Sequence, residues 1–447
     1  MSIKVCKFGG TSMADGNTIQ KVADIVKSDK DRRYVVVSAP GKRFSNDVKV
    51  TDMLYECERE SEETGSCEAA FSKVRQRFEN IVAELGIKTD FAAILDETER
   101  RICEEKSADF AASRGEYLSG RIMAELLGVP FVDAQDVMLF NDDGTFASEE
   151  SYALVARALA DKPYAVVAGF YGAYRNGRVK TFSRGGSDIS GAVVARAVLA
   201  DLYENWTDVS GFLACDPRIV EHPQGIRELS YKELRELSYM GANVLHSESI
   251  FPVRGANIPI NIRNTFRPED EGTMIMPLSK YRYTGNIVTG IAGKKNFTVI
   301  HIEKSMMNSE IGFTRKILSI LEENNISFEH MPSGIDTMSL VIDSNALQLG
   351  MLDRLLTEIE QTVNPDHVRV YNNIALIATV GHGMSSSIGT SGRLFKALSD
   401  ANINVRMIDQ GSSELNIIVG VADEDCNRAI KAIYNEFFPA KKENAAK

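Results

Sequence analysis

The chain has 447 residues, more than one hydrophobic core usually serves, so two or three domains are expected, each large enough to bury a core of its own. Lys and Arg number 51 against 62 Asp and Glu, a formal charge of −11, which excludes a broad nucleic-acid surface and leaves room for a local basic pocket holding a small anion. Cys6, Cys57, Cys67, Cys103, Cys215 and Cys426 form no C-x-x-C pair and no zinc spacing with histidine, and they read as reduced, scattered thiols.

Met1 opens onto Ser2, Ile3, Lys4 and Val5 without a basic stretch and long apolar run, and nowhere do eighteen apolar residues occur in succession, so a soluble cytoplasmic chain is expected. Ile3 to Phe8 reads as a buried strand that ends on Lys7-Phe8-Gly9-Gly10-Thr11-Ser12. Ile19, Val22, Ile25 and Val26 then recur at helical spacing, and Tyr34 to Val37 is a second β-branched run. Cys67 to Leu127 reads as mostly helical. Strands at Tyr164 to Val167 and Leu202 to Trp206 flank a helix carrying Ile189, Val193, Val194 and Ala197, so an α/β alternation runs to residue 280.

Pro268, Gly272, Pro277, Gly285, Gly290 and Gly293 punctuate the stretch from Arg267 to Gly293, where the main domain boundary is expected. Beyond it the sequence repeats at an offset of 77: Ile311-Gly312 recurs as Ile388-Gly389, Asn325-Ile326 as Asn402-Ile403, and Gly334 as Gly411. Each copy reads as a β-rich run, a small-residue turn, an amphipathic helix, a strand, a Gly-bearing loop and another strand.

Three segments carry chemistry. Gly9 and Gly10 follow a strand at the edge where open α/β sheets bind ligands, and there their N–H groups can meet phosphate oxygens while Lys7 supplies a mobile charge; a plain tight turn is the competing reading. Thr181-Phe182-Ser183-Arg184-Gly185-Gly186-Ser187-Asp188 opens a helix, whose N-terminus favours anions. Arg184 there suits a two-pronged hold on a substrate carboxylate and Asp188 suits orienting Lys7 or a metal-bound water, against a surface arginine and a first-turn charge. Trp206-Thr207-Asp208-Val209-Ser210-Gly211 leads to Cys215-Asp216-Pro217-Arg218, in which Asp208 can accept from an adenine or ribose and Arg218 can meet phosphate; a loop closed by its own turn bonds is the alternative. Glu116, in Arg114-Gly115-Glu116, is suited to an ammonium, or is a solvated helical charge. There is no G-x-x-x-x-G-K-[ST], Gly381-His382-Gly383 lacks the third glycine of a dinucleotide loop, and His222 and His246 read as structural.

Taken together, KFGGTS at 7 to 12, RGEYLSGR at 114 to 121, TFSRGGSDISG at 181 to 191, WTDVSG with DPR at 206 to 218 and GANVLHSESIFP at 241 to 252 resemble the aspartate kinases of the amino-acid kinase family over essentially the whole chain. The resemblance implies an α/β architecture: a three-layer α/β/α kinase-like domain over 1–280, a linker at 281–298, and two ferredoxin-like βαββαβ ACT domains at 299–371 and 372–440. It implies transfer of the ATP γ-phosphoryl group to the β-carboxylate of L-aspartate, the step that feeds lysine, threonine and methionine synthesis, with Mg2+ carried on the nucleotide. By match to the family motifs, Lys7, Gly9 and Gly10 hold phosphates, Ser38, Thr51, Glu116 and Arg184 hold aspartate, Thr207, Asp208 and Arg218 hold ATP, and Asp188 organises the reaction centre. An ionised carboxylate is already a nucleophile, so positioning and cations are the whole demand and no nucleophile triad is needed.

One position departs from the family: Asn243 stands where many relatives carry a lysine, and it cannot supply that charge. An end-product amino acid, lysine first and threonine next, is expected where the ACT units meet, at Ile311, Gly312, Phe313 and Thr314 and at Met331, Ser333, Gly334 and Asp336. Asp336 there suits an ammonium and the N–H groups near Gly334 a carboxylate. A homodimer or dimer of dimers through ACT edge strands is expected, with no nucleic acid and no membrane partner. Two other functions remain open: another carboxylate or carbamate kinase of the same fold, and a non-catalytic amino-acid sensor.

Overall fold

The structure is a computed structural model that describes residues 2–183, 185–242, 245, 249–281 and 285–439. Among these, 2–183, 185–212, 225–234, 245 and 249–281 make up one compact unit, and 213–224, 235–242 and 285–439 a second.

The first unit opens with β1 (Lys4–Phe8), α1 (Gly16–Lys27) and β2 (Arg32–Val37). Asp15 starts α1 by accepting from the Thr18 N–H at 2.8 Å while the Thr18 hydroxyl oxygen accepts from the Asp15 N–H, and Ile19, Val22, Ala23 and Val26 turn one face inward. A helical stretch follows: α2 (Val50–Thr64), α3 (Glu68–Leu85), α4 (Phe91–Glu105) and α5 (Ala108–Leu127). Next come β3 (Phe131–Val132), β4 (Leu139–Phe140), α6 (Ser148–Leu159), β5 (Ala165–Ala168), β6 (Tyr171–Tyr174), β7 (Val179–Thr181), α7 (Gly186–Ala197) and β8 (Leu202–Thr207). The unit closes with β9 (Glu228–Ser230), α8 (Tyr231–Tyr239), which ends in the second unit, α9 (Phe251–Gly255), β10 (Ile260–Asn264) and β11 (Thr273–Met276).

Eight strands form the main sheet in the order β3-β5-β2-β1-β8-β10-β11-β9, and β4-β6-β7 make a small separate sheet. Strands β1, β2, β3, β5, β8 and β10 are parallel. Successive residues of β1, β5 and β8 are buried whatever their parity, so both faces of the sheet are covered. The chain leaves β1 for β2 on one side and returns to β8 on the other, and this reversal opens a crevice at the carboxyl ends of β1 and β8. The strands expected in this unit are all present, shifted by a residue or two; Ile3 to Phe8, for instance, becomes Lys4–Phe8.

The second unit is built on two 14-residue strands, β12 (Gly290–Glu303) and β14 (His367–Val380), which are themselves 77 residues apart and pair antiparallel. Between and after them lie α10 (Phe313–Glu323), β13 (Thr337–Asp343), α11 (Met351–Val363), α12 (Thr390–Asp400), β15 (Met407–Asp409), β16 (Asn416–Ala422) and α13 (Cys426–Phe437), in the sheet order β13-β12-β14-β16-β15. Gly290 faces Val380 and Glu303 faces His367, so the 77-residue shift maps the pair onto itself and a local two-fold passes through its middle. Both strands are interrupted at equivalent places by a left-handed asparagine, Asn296 at φ 71° and Asn373 at φ 57°.

This pairing corrects the expected boundaries. The segment 281–298 is not all linker, because β12 begins at Gly290. Nor are the copies two separate contiguous pieces: residues Gly290 to Lys294, which precede the first copy, pair with Leu376 to Val380 of the second. The last strand of the second half is thus supplied from before the first, and the sequence pattern concealed it because that strand is continuous with the next half's first strand.

Candidate active site

The parallel strands put their carboxyl ends together. Gly9 and Gly10 follow β1, Ser38 follows β2 and Thr207 ends β8, so three separate sequence segments reach one edge. The Gly9 N–H donates to the Trp206 carbonyl at 3.0 Å, which ties the loop to β8. Gly10 accepts from the Gly41 N–H at 2.8 Å, and a Cβ on Gly41 would sit 2.6 Å from the Gly10 carbonyl carbon, so this crossing requires a glycine.

Lys7 is 8% exposed, and its Nζ lies 2.6 Å from Asp188 Oδ1 in the first turn of α7. Asp188 Oδ1 also accepts from Asn205 Nδ2 at 2.8 Å, so the cation is fixed by an acid that is itself held from β8. Of the two roles open to Asp188, orienting Lys7 is the one this geometry displays. The Ser38 hydroxyl donates to Ser187 Oγ at 2.8 Å, joining the end of β2 to the same helix start.

Glu116 sits on α5 and is 4% exposed. A Cβ on Gly115 would lie 2.6 Å from Ala39 Cβ, so the glycine lets α5 press against the segment after β2, where the Ala39 N–H favours the charged form of the Glu116 carboxylate. Burial pushes the Glu116 pKa up to about 8, opposed by that N–H and more weakly by Lys7 and Arg114, and Oε2 has no hydrogen-bond partner. A buried carboxyl with one oxygen unmatched is suited to a ligand cation, whose arrival would favour its charged form. Beside it, Arg114 is buried against the rings of Phe110, Tyr117 and Tyr171 and bonds the Ser113 hydroxyl.

Thr51 lies in the first turn of α2, half-buried. Thr207 is half-buried and donates to the exposed Asp208 at 3.2 Å, leaving Asp208 accessible at the strand end. Arg218 falls in the second unit, with 88% of its side chain exposed and its guanidinium held by Asp216 at 2.6 Å. Arg184 and Asn243, with His246, lie outside the described residues.

The second unit holds the expected effector residues. Phe313 is buried among Ile302, Ile317 and Leu340, Ile311 is fully exposed, and Gly312 and Thr314 flank the start of α10. Met331 is half-buried, while Ser333, Gly334 and Asp336 are exposed. The Gly334 N–H donates to the Thr337 carbonyl at 2.7 Å and Asp336 Oδ1 accepts from the Met306 N–H at 2.8 Å, so turn bonding occupies both groups. The equivalent place in the second copy is a cavity of about 400 Å3 lined by Met384, Ser387, Thr390, Gln410, Glu414 and Ile417, among others. In this copy Thr379 and Thr390 replace Ile302 and Phe313, and the Thr379 hydroxyl is buried without a partner. Sequence reasoning overlooked this copy, although the run of serines from 385 to 387 is the signal that marks it. It also overlooked Asn205 and Ser187, each a common residue whose importance lies in the acid or hydroxyl it faces.

The amino acid kinase family model matches residues 2–264 and an ACT domain model matches 377–437. Aspartokinase 3 of Bacillus subtilis is 39% identical over 452 residues, covering 98% of this chain and 99% of that one, and chloroplastic aspartokinase 1 of Arabidopsis thaliana is 30% identical over 97% of this chain and 80% of its own length. Among solved structures, the allosteric aspartate kinase of Clostridium acetobutylicum superposes with a TM-score of 0.89 at 51% identity, covering 98% of this chain and all of that one. Escherichia coli aspartokinase III in complex with aspartate and ADP gives 0.76 at 27% identity, with the same coverage. This chain belongs to the amino acid kinase family, in its aspartokinase group with C-terminal ACT domains. It is accordingly an ATP-dependent phosphotransferase, which removes the non-catalytic sensor from consideration.

Proposed function

We propose that this chain transfers the γ-phosphoryl group of Mg-ATP to the β-carboxylate of L-aspartate, giving 4-phospho-L-aspartate at the head of lysine, threonine and methionine synthesis in the cytoplasm. The observation that carries this reading is the pairing of a fixed cation with an unmatched acid in one site: Lys7 locked by Asp188, and Glu116 buried with a free oxygen. Lys7 and the N–H groups of Gly9 and Gly10 neutralise the transferring phosphoryl, Glu116 receives the substrate ammonium, and Ser38, Thr51 and Arg184 position its carboxylates. Thr207, Asp208 and Arg218 hold the nucleotide.

Escherichia coli aspartokinase III has been solved with lysine and aspartate together, and lysine is the effector we assign to the ACT region here, with threonine second. The loop residues 311–314 and 331–336 are one candidate seat, and the hydroxyl-lined cavity of the second copy is another favoured by its open volume. Residues His367 to Asn373 of β14 pair only with β12 among the described strands, and this free edge supports a homodimer or dimer of dimers.

The test is an acyl-phosphate assay with hydroxylamine trapping, using ATP, Mg2+ and aspartate, glutamate or N-acetylglutamate, with and without lysine and threonine. Hydroxamate from aspartate alone, suppressed by lysine and falling about 100- to 1000-fold in Lys7→Ala, is expected. Product from another acid reassigns the acceptor, and indifference to both amino acids removes the effector assignment.

A further inference from the structure

The sequence scatters six cysteines, but the fold brings two of them together. Cys67 caps the start of α3, and Cys103 lies near the end of α4, 36 residues later. Cys103 Sγ is 3.3 Å from Cys67 Sγ, and both are free thiols. A disulfide needs its sulfurs about 2.05 Å apart, so the two thiols already lie within reach of one another. Accessibility differs: Cys67 is wholly buried, whereas Cys103 is partly exposed. Burial first, then the contact with Cys103, pushes the Cys67 thiol well above the usual range, so it is no target for a reagent in solution. Cys57 is also wholly buried, which leaves Cys103 as the accessible member of the group.

We infer that Cys67 and Cys103 form a reversible thiol–disulfide site whose co-reactant is a low-molecular-weight disulfide of the glutathione class. The Cys103 thiolate attacks the small disulfide RSSR, forming Cys103–S–SR and releasing one RS−. Cys67 then loses its proton and attacks the Cys103 sulfur, forming the Cys67–Cys103 bond and releasing the second RS−. The two cysteine protons end on the two released RSH molecules, two electrons pass from the protein to RSSR, and a dithiol reverses the sequence. The bond staples the beginning of α3 to the end of α4, closing a loop that contains both helices. Helix α4 in turn reaches α5 through Arg101, whose guanidinium stacks on Phe110, the ring that also faces Arg114. The staple thus braces the helical layer that carries Glu116.

The experiment incubates the full-length folded protein with oxidised glutathione, blocks remaining thiols with N-ethylmaleimide, and maps non-reduced peptides by mass spectrometry. A Cys67–Cys103 cross-linked peptide is expected, with a rise in Tm of roughly 5–10 °C that dithiothreitol abolishes. In Cys67→Ser the glutathione adduct should persist on Cys103, and in Cys103→Ser neither Cys67 nor Cys57 should be modified. Should Cys67→Ser fail to fold, Cys103→Ser and the wild-type peptide map decide alone. A stable Cys103 adduct in the wild type, a cross-link to Cys57, or modification of Cys67 in Cys103→Ser would each overturn the site.

Discussion

The two compact units treat charge in opposite ways. Every charged side chain that is buried among the described residues belongs to the first: Lys7, Arg32, Asp47, Glu58, Arg77, Arg114, Glu116, Glu204 and Glu233. In the second unit the buried polar groups are threonines and one asparagine, at 289, 298, 324, 379 and 390, while its carboxylates and lysines pair on the surface, as Glu310 does with Lys304 and Lys316. Bringing two anions together requires cations that are already fixed and desolvated before the substrate arrives, and that arrangement costs stability unless each charge has a partner. A region that must respond to a ligand gains nothing from such fixed charges; hydroxyls and exposed loops can exchange partners cheaply.

The largest test of this contrast is at Arg32 and Glu204, whose charges meet at 2.8 Å with 7% and 1% of their side chains exposed; the Glu204 carboxylate also accepts from the Trp206 Nε1–H and the Cys6 thiol. Glu204→Ala leaves Arg32 buried without its partner and is expected to destabilise the protein by about 3–5 kcal/mol in urea unfolding. A loss comparable to that of an exposed surface pair would mean that Arg32 escapes to water and that the burial contrast is shallower than it looks.

In the second unit the equivalent weight is carried by packing. Phe313→Ala empties the first copy's core and should cost about 3 kcal/mol, whereas Thr390→Ala, at the matching place in the second copy, should cost under about 1 kcal/mol, since it removes only a turn bond to the Ser387 carbonyl. Equal losses in thermal unfolding would show that the two copies are packed alike and that the second copy's cavity is not a real difference.

The smallest effect is a pH slope at Glu116. Its carboxyl pKa is raised to about 8 in the fold but takes an ordinary carboxylate value once unfolded, so the folded chain holds the extra proton between roughly pH 4.5 and 8. Glu116 therefore favours the folded state most below that window, and this contribution is lost as pH rises through it. Glu116→Gln should flatten the fall in Tm between pH 6 and 9 by a few degrees in the ligand-free protein, and saturating aspartate should flatten the wild-type curve as well, if the ammonium sits there. Superimposable curves for wild type and variant would place the ionisation elsewhere.

Much of this was legible in the residues. The strand-then-diglycine pattern at Lys7 to Gly10, the second glycine pair before Asp188 and the polar end of β8 identified one sheet edge, because strand direction alone dictates that parallel strands deliver their carboxyl ends together. The 77-residue offset likewise announced a duplicated unit. What escaped was whatever depends on a partner far along the chain. Asn205 and Ser187 are unremarkable until Asp188 and Ser38 are placed against them at 2.8 Å.

The sequence by itself determined the α/β alternation, the repeat, and which residue types were available for phosphate, carboxylate and ammonium, since these follow from local periodicity and side-chain chemistry. Only the tertiary structure decided that Lys7 is pinned by Asp188, that Glu116 is buried with an oxygen unmatched, that Gly290 to Lys294 complete the second copy's sheet, and that Cys67 meets Cys103. Each of these depends on desolvation or on a contact between distant segments, and burial and long-range pairing are properties of the folded chain that no local window of residues contains.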